Sequence, residues 1–542
     1  MEDTELMEPA ELVELDPDIE DLDRMEDPKP DYTNSCALDI HLYSNDLRVT
    51  AASRALCSEI EYAGGRAETH MRVVLLNLYW TNHMSPDRWV GYSRDNNRYG
   101  IPFRYNPQRI EVHPLNKVVK GLIGRGYVEP LNFHYNGKPG EGRCSRMRAT
   151  AKLISFLVER HQFRIDVVGR HPDEEVIVLK DTQEMDKKVI WYDDNRETPK
   201  MRKFLNQYNE FIQKTYIDLD YMGYVHNKQL RNHSPEYRAK LPSNIFIDLT
   251  KRKMRRIFNN KSFTQGGRYY GGFWMEMPSQ LRLRLIIEMQ KVIEADYSGI
   301  HIHLLYNQNG IDYGAYNRDP YEIPGYPNTP KHRNLFKKLL LAAINAQADA
   351  KSTGETKAIK ALREDINYNR SDYPDELPSL REVLDDFRSH HAPIAEYLCS
   401  GRGLKLMYQD SQIAEHVMKA MFKLRIPVLP VHDSFICPKQ YGDTLIDAMT
   451  YAYQHVTGSR LTRTQFTVRI KEPDEWNRAE GNELFPDEDY YFDPQYTEDD
   501  ALIRHMYNID RTEMANLEEG VIIEEVVVAP HVLNVSIPIN YS

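Results

Sequence analysis

The stretch Glu294-Ala295-Asp296-Tyr297-Ser298-Gly299-Ile300-His301 decides how this chain is read. Asp296 closes a short apolar run of the kind that forms a buried strand. A second such run, Val428-Leu429-Pro430-Val431-His432-Asp433-Ser434-Phe435-Ile436, is interrupted by Asp433. Between the two lies Arg333-Asn334-Leu335-Phe336-Lys337-Lys338. Arg333 and Lys337 stand at i and i+4, so on a helix they share one face. Two acids at strand ends facing a cationic helix form the residue set needed for metal-assisted transfer from a nucleoside triphosphate.

That transfer needs charge neutralised at the attacking oxygen, the leaving oxygen and the phosphates. Two magnesium ions about 3.5–4 Å apart do this in polymerases. Magnesium takes hard oxygen ligands and keeps several waters, so one or two carboxylates suffice. Asp296 and Asp433 fit as bridging ligands if their strands are neighbours, and the Tyr297 carbonyl is a further donor. Arg333 and Lys337 suit the triphosphate oxygens, and Lys331 and Lys338 add to the field. Taken alone, a basic helix reads as a solvated face; its place between two acidic motifs favours the other reading.

In this order, Asp296-Tyr297-Ser298-Gly299-Ile300, Arg333 with Lys337, and His432-Asp433-Ser434 resemble motifs A, B and C of the family A DNA polymerases and the related single-subunit phage RNA polymerases. Phe263-Thr264-Gln265-Gly266-Gly267-Arg268, followed by Glu276-Met277-Pro278, resembles that family's Gly-Arg segment. Tyr408-Gln409-Asp410-Ser411-Gln412-Ile413-Ala414 resembles the Gln-containing helix before motif C. The resemblance implies an α+β right-hand polymerase: an antiparallel palm sheet with helices, small fingers and a thumb. It implies two Mg²⁺ at Asp296 and Asp433, triphosphate contact by Arg333 and Lys337, and Arg268, Gln409 and His432 along a primer–template duplex. The family's aromatic and Tyr-Gly positions on the fingers helix fall here on Leu341, Asn345 and Ala346, and its sugar-gating Glu falls on His301. His301 is therefore the candidate nucleotide-sugar contact, and the choice between deoxyribose and ribose stays open.

The formal net charge of −12 hides an uneven distribution. Met1 to Asp31 and Glu483 to Ser542 each hold 14 acids and 2 bases, so each end carries −12 and the body between them +12. Such ends read either as solvating tails or as segments that compete with nucleic acid or recruit a replication partner protein. Five cysteines without CxxC spacing argue for a reducing, cytoplasmic setting and against a zinc site. No run approaches the length of a membrane span, and no secretory signal is visible.

Outward from the motifs, the expected organisation is an acidic tail (1–34), a winged-helix-like DNA-binding unit (35–160), a connector or thumb-like region (161–250), the palm (251–482) with fingers at about 331–391, and an acidic extension (483–542). Met71 to Trp80 reads as helix. Leu115 to Ile123 reads as helix, followed by a strand at Tyr127-Val128, a wing-like turn at Asn136 to Gly142, a return strand, and a helix from Ala151 to Glu159. Arg143, Arg146 and Arg148 lie on or beside the wing and are candidate DNA contacts. Arg164 to Val168 and Glu175 to Leu179 read as strands, and Lys200 to Tyr216 as helix. His301-Ile302-His303 reads as two histidines on one strand face. Tyr269, Tyr270, Phe273 and Trp274 either stack bases or form core. Val521 to Ile539 reads as two further strands. The rival functions are a single-subunit RNA polymerase or primase, and a DNA-binding replication or regulatory protein on a polymerase-like scaffold without catalysis.

Overall fold

The computed structural model describes residues 34–131, 144–182, 188–219, 225–226, 244–245, 251–277, 282–283, 285–316, 318–458 and 468–471. Arg143, the wing-like turn, both acidic ends and Val521 to Ile539 lie outside the described residues. The architecture is α+β, with several sheets and packed helices.

Buried apolar side chains gather into two clusters. One draws on residues from Leu38 to Val167. The other runs from Val176 to Tyr453 and also takes in Tyr105. The first surrounds a four-stranded sheet in which Trp89–Tyr92 lies between Ser35–Ala37 and Ser145–Ala149, with Val128–Leu131 on the far edge. Helices Leu47–Glu59, Gly65–Met84 and Val112–Gly124 accompany it. The helix read at Leu115 to Ile123 and the strands after it are present. The expected helix from Ala151 runs only to Ser155 before widening into a π-helical turn, Phe156–Arg160. Arg164 to Val168 is a correction: a 3₁₀ turn, Ile165–Val167, replaces the expected strand.

The second cluster is built on a strand order of Leu429–Val431, Ser434–Pro438, Gln290–Tyr297, Leu285–Ile287 and Ile217–Leu219. Val468–Lys471 also pairs with the Gln290–Tyr297 strand, and every pairing is antiparallel. Within the Gln290–Tyr297 strand, Val292 to Ala295 are buried on both faces, while Lys291 is exposed and Asp296 partly so. Alternate side chains take opposite faces. Ile293 and Tyr297 meet the Gly442–Thr457 helix: a Cβ on Gly442 would stand 2.7 Å from Ile293 Cδ1, and Tyr297 Oη donates to the Met449 carbonyl at 2.6 Å. Glu294 and Asp296 take the other face.

The Gly403–Lys423 helix packs on the Ser262–Tyr270 strand. Gly267 permits this approach. Its φ is +77°, the pairing shifts register beside it, and a Cβ there would lie 2.8 Å from Phe258 Cε1 and 3.1 Å from Ser411 Oγ. The basic segment forms the Pro330–Asn345 helix. Thr329 caps it, accepting from the His332 backbone N–H at 3.3 Å, and Pro330 occupies the first turn. Leu335, Phe336, Leu339, Leu340, Ala343 and Ile344 bury one stripe of it. The Thr198–Lys214 helix lies against the sheet beside Leu429–Val431, with Tyr208 Oη donating to the Val428 carbonyl at 2.5 Å.

Candidate active site

The two aspartates are brought together by strand pairing. Asp296 sits opposite Ser434 in the register of Gln290–Tyr297 with Ser434–Pro438. The Tyr297 backbone N–H donates to the Asp433 carbonyl at 3.3 Å. Asp433 and His432 are the two central residues of the hairpin joining Leu429–Val431 to Ser434–Pro438. Among the two, only His432 has positive φ, at +59°. Two-residue hairpins with positive φ at the first central position usually place glycine there, so His432 holds a strained backbone at the site.

Below the aspartates, charged groups are buried and paired. Glu294 takes a bidentate contact from Arg282 (Nη2 to Oε1 2.8 Å, Nε to Oε2 3.1 Å) and a hydrogen bond from Ser434 Oγ at 2.8 Å. That last bond ties the residue after Asp433 to the residue two before Asp296. Trp274, fully buried, donates from Nε1 to the Pro430 carbonyl at 2.9 Å and braces the hairpin from behind. Tyr269, Phe273 and Trp274 are therefore core, whereas half-exposed Tyr270 stands against the His432 ring, 5.2 Å between centroids.

Arg268 does not project alone. Its Nε lies 3.1 and 3.0 Å from the two carboxylate oxygens of buried Asp410, and its Nη2 pairs with the same carboxylate. His301 Nε2 is 2.9 Å from Asp410 Oδ2 and 3.2 Å from Arg268 Nη2. Facing a carboxylate, Nε2 carries the proton, and Nδ1 then has no hydrogen-bond partner among the described residues. Burial opposes the charge on Arg268, but Asp410, with Asp433 beyond it, outweighs burial and raises its pKa. Burial and the neighbouring Arg268 lower the pKa of His432 and favour its neutral form.

His301 and His303 lie on the Ile300–Gln308 helix, so the expected strand face bearing both is corrected. Two residues apart on the helix, they point to different sides, His301 to Asp410 and His303 against Tyr313, 5.3 Å between ring centroids. Gly299 starts this helix at φ +70°, and a Cβ there would meet Pro320 Cγ at 2.6 Å.

Arg333 is also engaged. Its Nε donates to Asp319 Oδ2, its Nη2 donates to Asp319 Oδ1 at 3.3 Å, and its guanidinium lies 5.2 Å from the centre of the Tyr321 ring. Tyr321 links the parts. Burial raises its phenol pKa most; the charges of Asp433, Asp319 and Asp296 add to the rise, and Arg333 opposes it. All four charged groups thus act on one buried hydroxyl. Lys337, exposed on the next turn, forms no ion pair with a described residue. Gln409 accepts from Gln308 Nε2 at 2.9 Å.

The remaining described candidates lie on the Ser145–Ala149 strand beside the first cluster. Arg148 is occupied by Glu129 (2.8 and 3.1 Å) and Asp87 (3.5 Å) and lies over the Trp89 ring at 4.5 Å. Arg146 donates to the Cys144 carbonyl at 3.1 Å. Asp319, Tyr321, Asp410, Glu294 and Arg282 were not among the expected site residues, although Glu294 and Asp410 lie inside the motifs themselves.

The hard oxygen donors here are of the kind magnesium takes, though they are few. Two partly exposed carboxylates stand at adjoining strand and hairpin positions with backbone carbonyls beside them; no group of three or more His, Cys, Asp or Glu side chains is placed to hold a metal among the described residues, so magnesium there would rest on these two acids, carbonyls and water. No helix of the described residues is long and apolar enough to cross a membrane.

Neither the known protein families nor the curated protein sequences give a match. Among solved structures, the chain is similar to the POL domain of Pol1 from M. smegmatis in complex with DNA primer-template and dNTP. The alignment has 13% identity and a TM-score of 0.22, and it covers 78% of this chain and 68% of that one. An overlap of that quality is too weak to establish a shared fold.

Proposed function

We propose that this chain is a template-directed nucleotidyltransferase that extends a primer on a nucleic-acid template, with DNA as its product. The observation that carries this is the strand register that sets Asp296 opposite Ser434, and so beside Asp433, with the Tyr297 N–H on the Asp433 carbonyl. Two magnesium ions held by Asp296, Asp433 and the Tyr297 carbonyl would supply the positive charge that phosphoryl transfer needs at its attacking and leaving oxygens.

The chain's own groups do the positioning. Arg333 and exposed Lys337 share a helix face on which triphosphate oxygens can be gripped, the guanidinium in two hydrogen bonds and the ammonium as a point charge. Arg268, fixed by Asp410, offers its remaining N–H groups to the duplex next to His432. His301 is held on Asp410 and buried with its Nδ1, so it reaches the incoming sugar only where nucleotide binding opens the packing around it. Because His301 stands where the resemblance expects a sugar-gating Glu, an RNA-synthesising enzyme is the second reading. Arg146 and Arg148, on the strand beside the first cluster, and Arg143 by its place in the sequence, are assigned to duplex DNA; Arg148 contributes least, since Glu129 and Asp87 already balance it.

Purified full-length protein with a primer–template and Mg²⁺ tests this directly. Extension with dNTPs and loss of extension in Asp433→Asn support the proposal. Incorporation of NTPs alone moves it to the RNA reading. Salt-sensitive duplex binding without incorporation of either sugar on any template overturns it in favour of a non-catalytic DNA-binding protein.

A further inference from the structure

The segment Asp319-Pro320-Tyr321 is clamped from several sides, and the clamp ends at Arg333. Pro320 is wedged against Gly299, which leaves no room for a Cβ, and its carbonyl lies 3.0 Å from Nε2 of fully buried His391. His391 Nδ1 in turn lies 2.9 Å from Tyr306 Oη. Asp319 Oδ1 accepts the Tyr321 backbone N–H at 3.0 Å, and the Asp319 carbonyl accepts from Glu322 N–H at 3.2 Å. Asp319 is thus a fixed carboxylate on a turn packed against the start of the Ile300–Gln308 helix.

Arg333 binds this carboxylate side-on, through Nε and Nη2. That geometry uses one edge of the guanidinium and leaves Nη1 and the second Nη2 hydrogen for another acceptor. The Tyr321 ring limits its rotation on one face. An arginine free in solution samples many rotamers, and ordering it on a ligand costs binding free energy. Asp319 and Tyr321 meet that cost in advance.

We propose that Asp319 is a positioning residue for triphosphate binding: it acts through Arg333, holding the guanidinium with its open edge toward the polyphosphate. This rests on the proposed nucleotidyltransferase function. The pair is side-on and both side chains are about a quarter exposed, so the contact leaves the guanidinium accessible to a ligand.

A double-mutant cycle on the full-length protein tests it. Magnesium tripolyphosphate is the probe for binding, read by titration calorimetry, and primer extension gives KM and kcat for the triphosphate. Asp319→Asn weakens tripolyphosphate binding about tenfold and raises KM by a similar factor, with kcat within about threefold. In an Arg333→Ala background, Asp319→Asn adds no further loss. Should Asp319→Asn fail to fold, Asp319→Glu, which keeps the charge on a longer stem, runs the same cycle with a smaller loss. Equal affinities, additive losses in the cycle, or tighter binding by Asp319→Asn each overturn the proposal; the last means that Asp319 competes with phosphate instead of orienting Arg333. The two claims fail separately. Extension without coupling removes only the role of Asp319. Coupling to tripolyphosphate without extension on any template removes only the proposed reaction.

Discussion

Replacing Asp410 by alanine strands a buried cation. Asp410 is 2% exposed, and the Arg268 side chain is 15% exposed. The carboxylate accepts from Nε and Nη2 of Arg268 and from Nε2 of His301. Removing one member of such a buried pair costs about 3–5 kcal/mol, because the remaining charge keeps its desolvation penalty and loses its compensation. Asp433 also acts on Arg268, so the loss falls near the lower end, about 3 kcal/mol. Against a typical stability of roughly 5–15 kcal/mol, that is a large fraction. The assay is urea unfolding followed by tryptophan fluorescence; Trp274 lies fully buried in the same cluster and reports it. The control is Arg268→Met with Asp410→Leu, which removes both charges and is expected to recover most of the loss. A loss below about 1 kcal/mol for Asp410→Ala, or a double variant no more stable than the single, refutes a buried, mutually dependent pair.

Other outcomes follow from the same geometry. Asp296→Asn and Asp433→Asn are each expected to lower primer extension by about 10³-fold or more, with unfolding midpoints little changed because both side chains are partly exposed; chelation of divalent cations is expected to do the same to the wild type. Burial holds His303 and His391 neutral, each with its pKa lowered to about 4. As pH falls below the ordinary 6.5, the unfolded chain takes up these protons first, so stability is lost between pH 6.5 and 4, by about 2 kcal/mol per histidine at pH 5. An unfolding midpoint unchanged between pH 7 and pH 5 contradicts this, and His391→Gln is expected to flatten the dependence. Gly299→Ala is expected to destabilise by about 1–3 kcal/mol, since φ is +70° and Pro320 Cγ sits 2.6 Å from the new Cβ; a neutral result in thermal unfolding contradicts the wedge. His432→Gly, which relaxes the positive φ of the hairpin, is expected to raise the melting temperature while lowering extension, and a lower melting temperature means that its ring packing on Tyr270 outweighs the strain.

The amino-acid order by itself determined the local elements around the candidate site. An apolar run ending in Asp296, a Thr-Pro start before a stripe of leucines, and a Gly-Gly ahead of Arg268 each carry their own short-range signal. Periodicity, capping and glycine conformation act within a turn or a strand. Where that signal was ambiguous, the expectation failed: His301-Ile302-His303 is equally apolar on a strand or a helix, and the left-handed Gly299 starting a turn against Pro320 settles it as helix. Arg164 to Val168 is too short a run for its pattern to separate a strand from a turn. Only the tertiary structure decided which charges meet. Strand register set Asp296 against Ser434, and so beside Asp433. Helix packing through Gly267 delivered Asp410 to Arg268 and His301, and the wedge at Pro320 delivered Asp319 to Arg333. Except for Asp319 with Arg333, 14 residues apart, those pairings join residues more than 100 positions apart along the chain, and the energies of all of them depend on burial and distance, which a window of sequence does not contain.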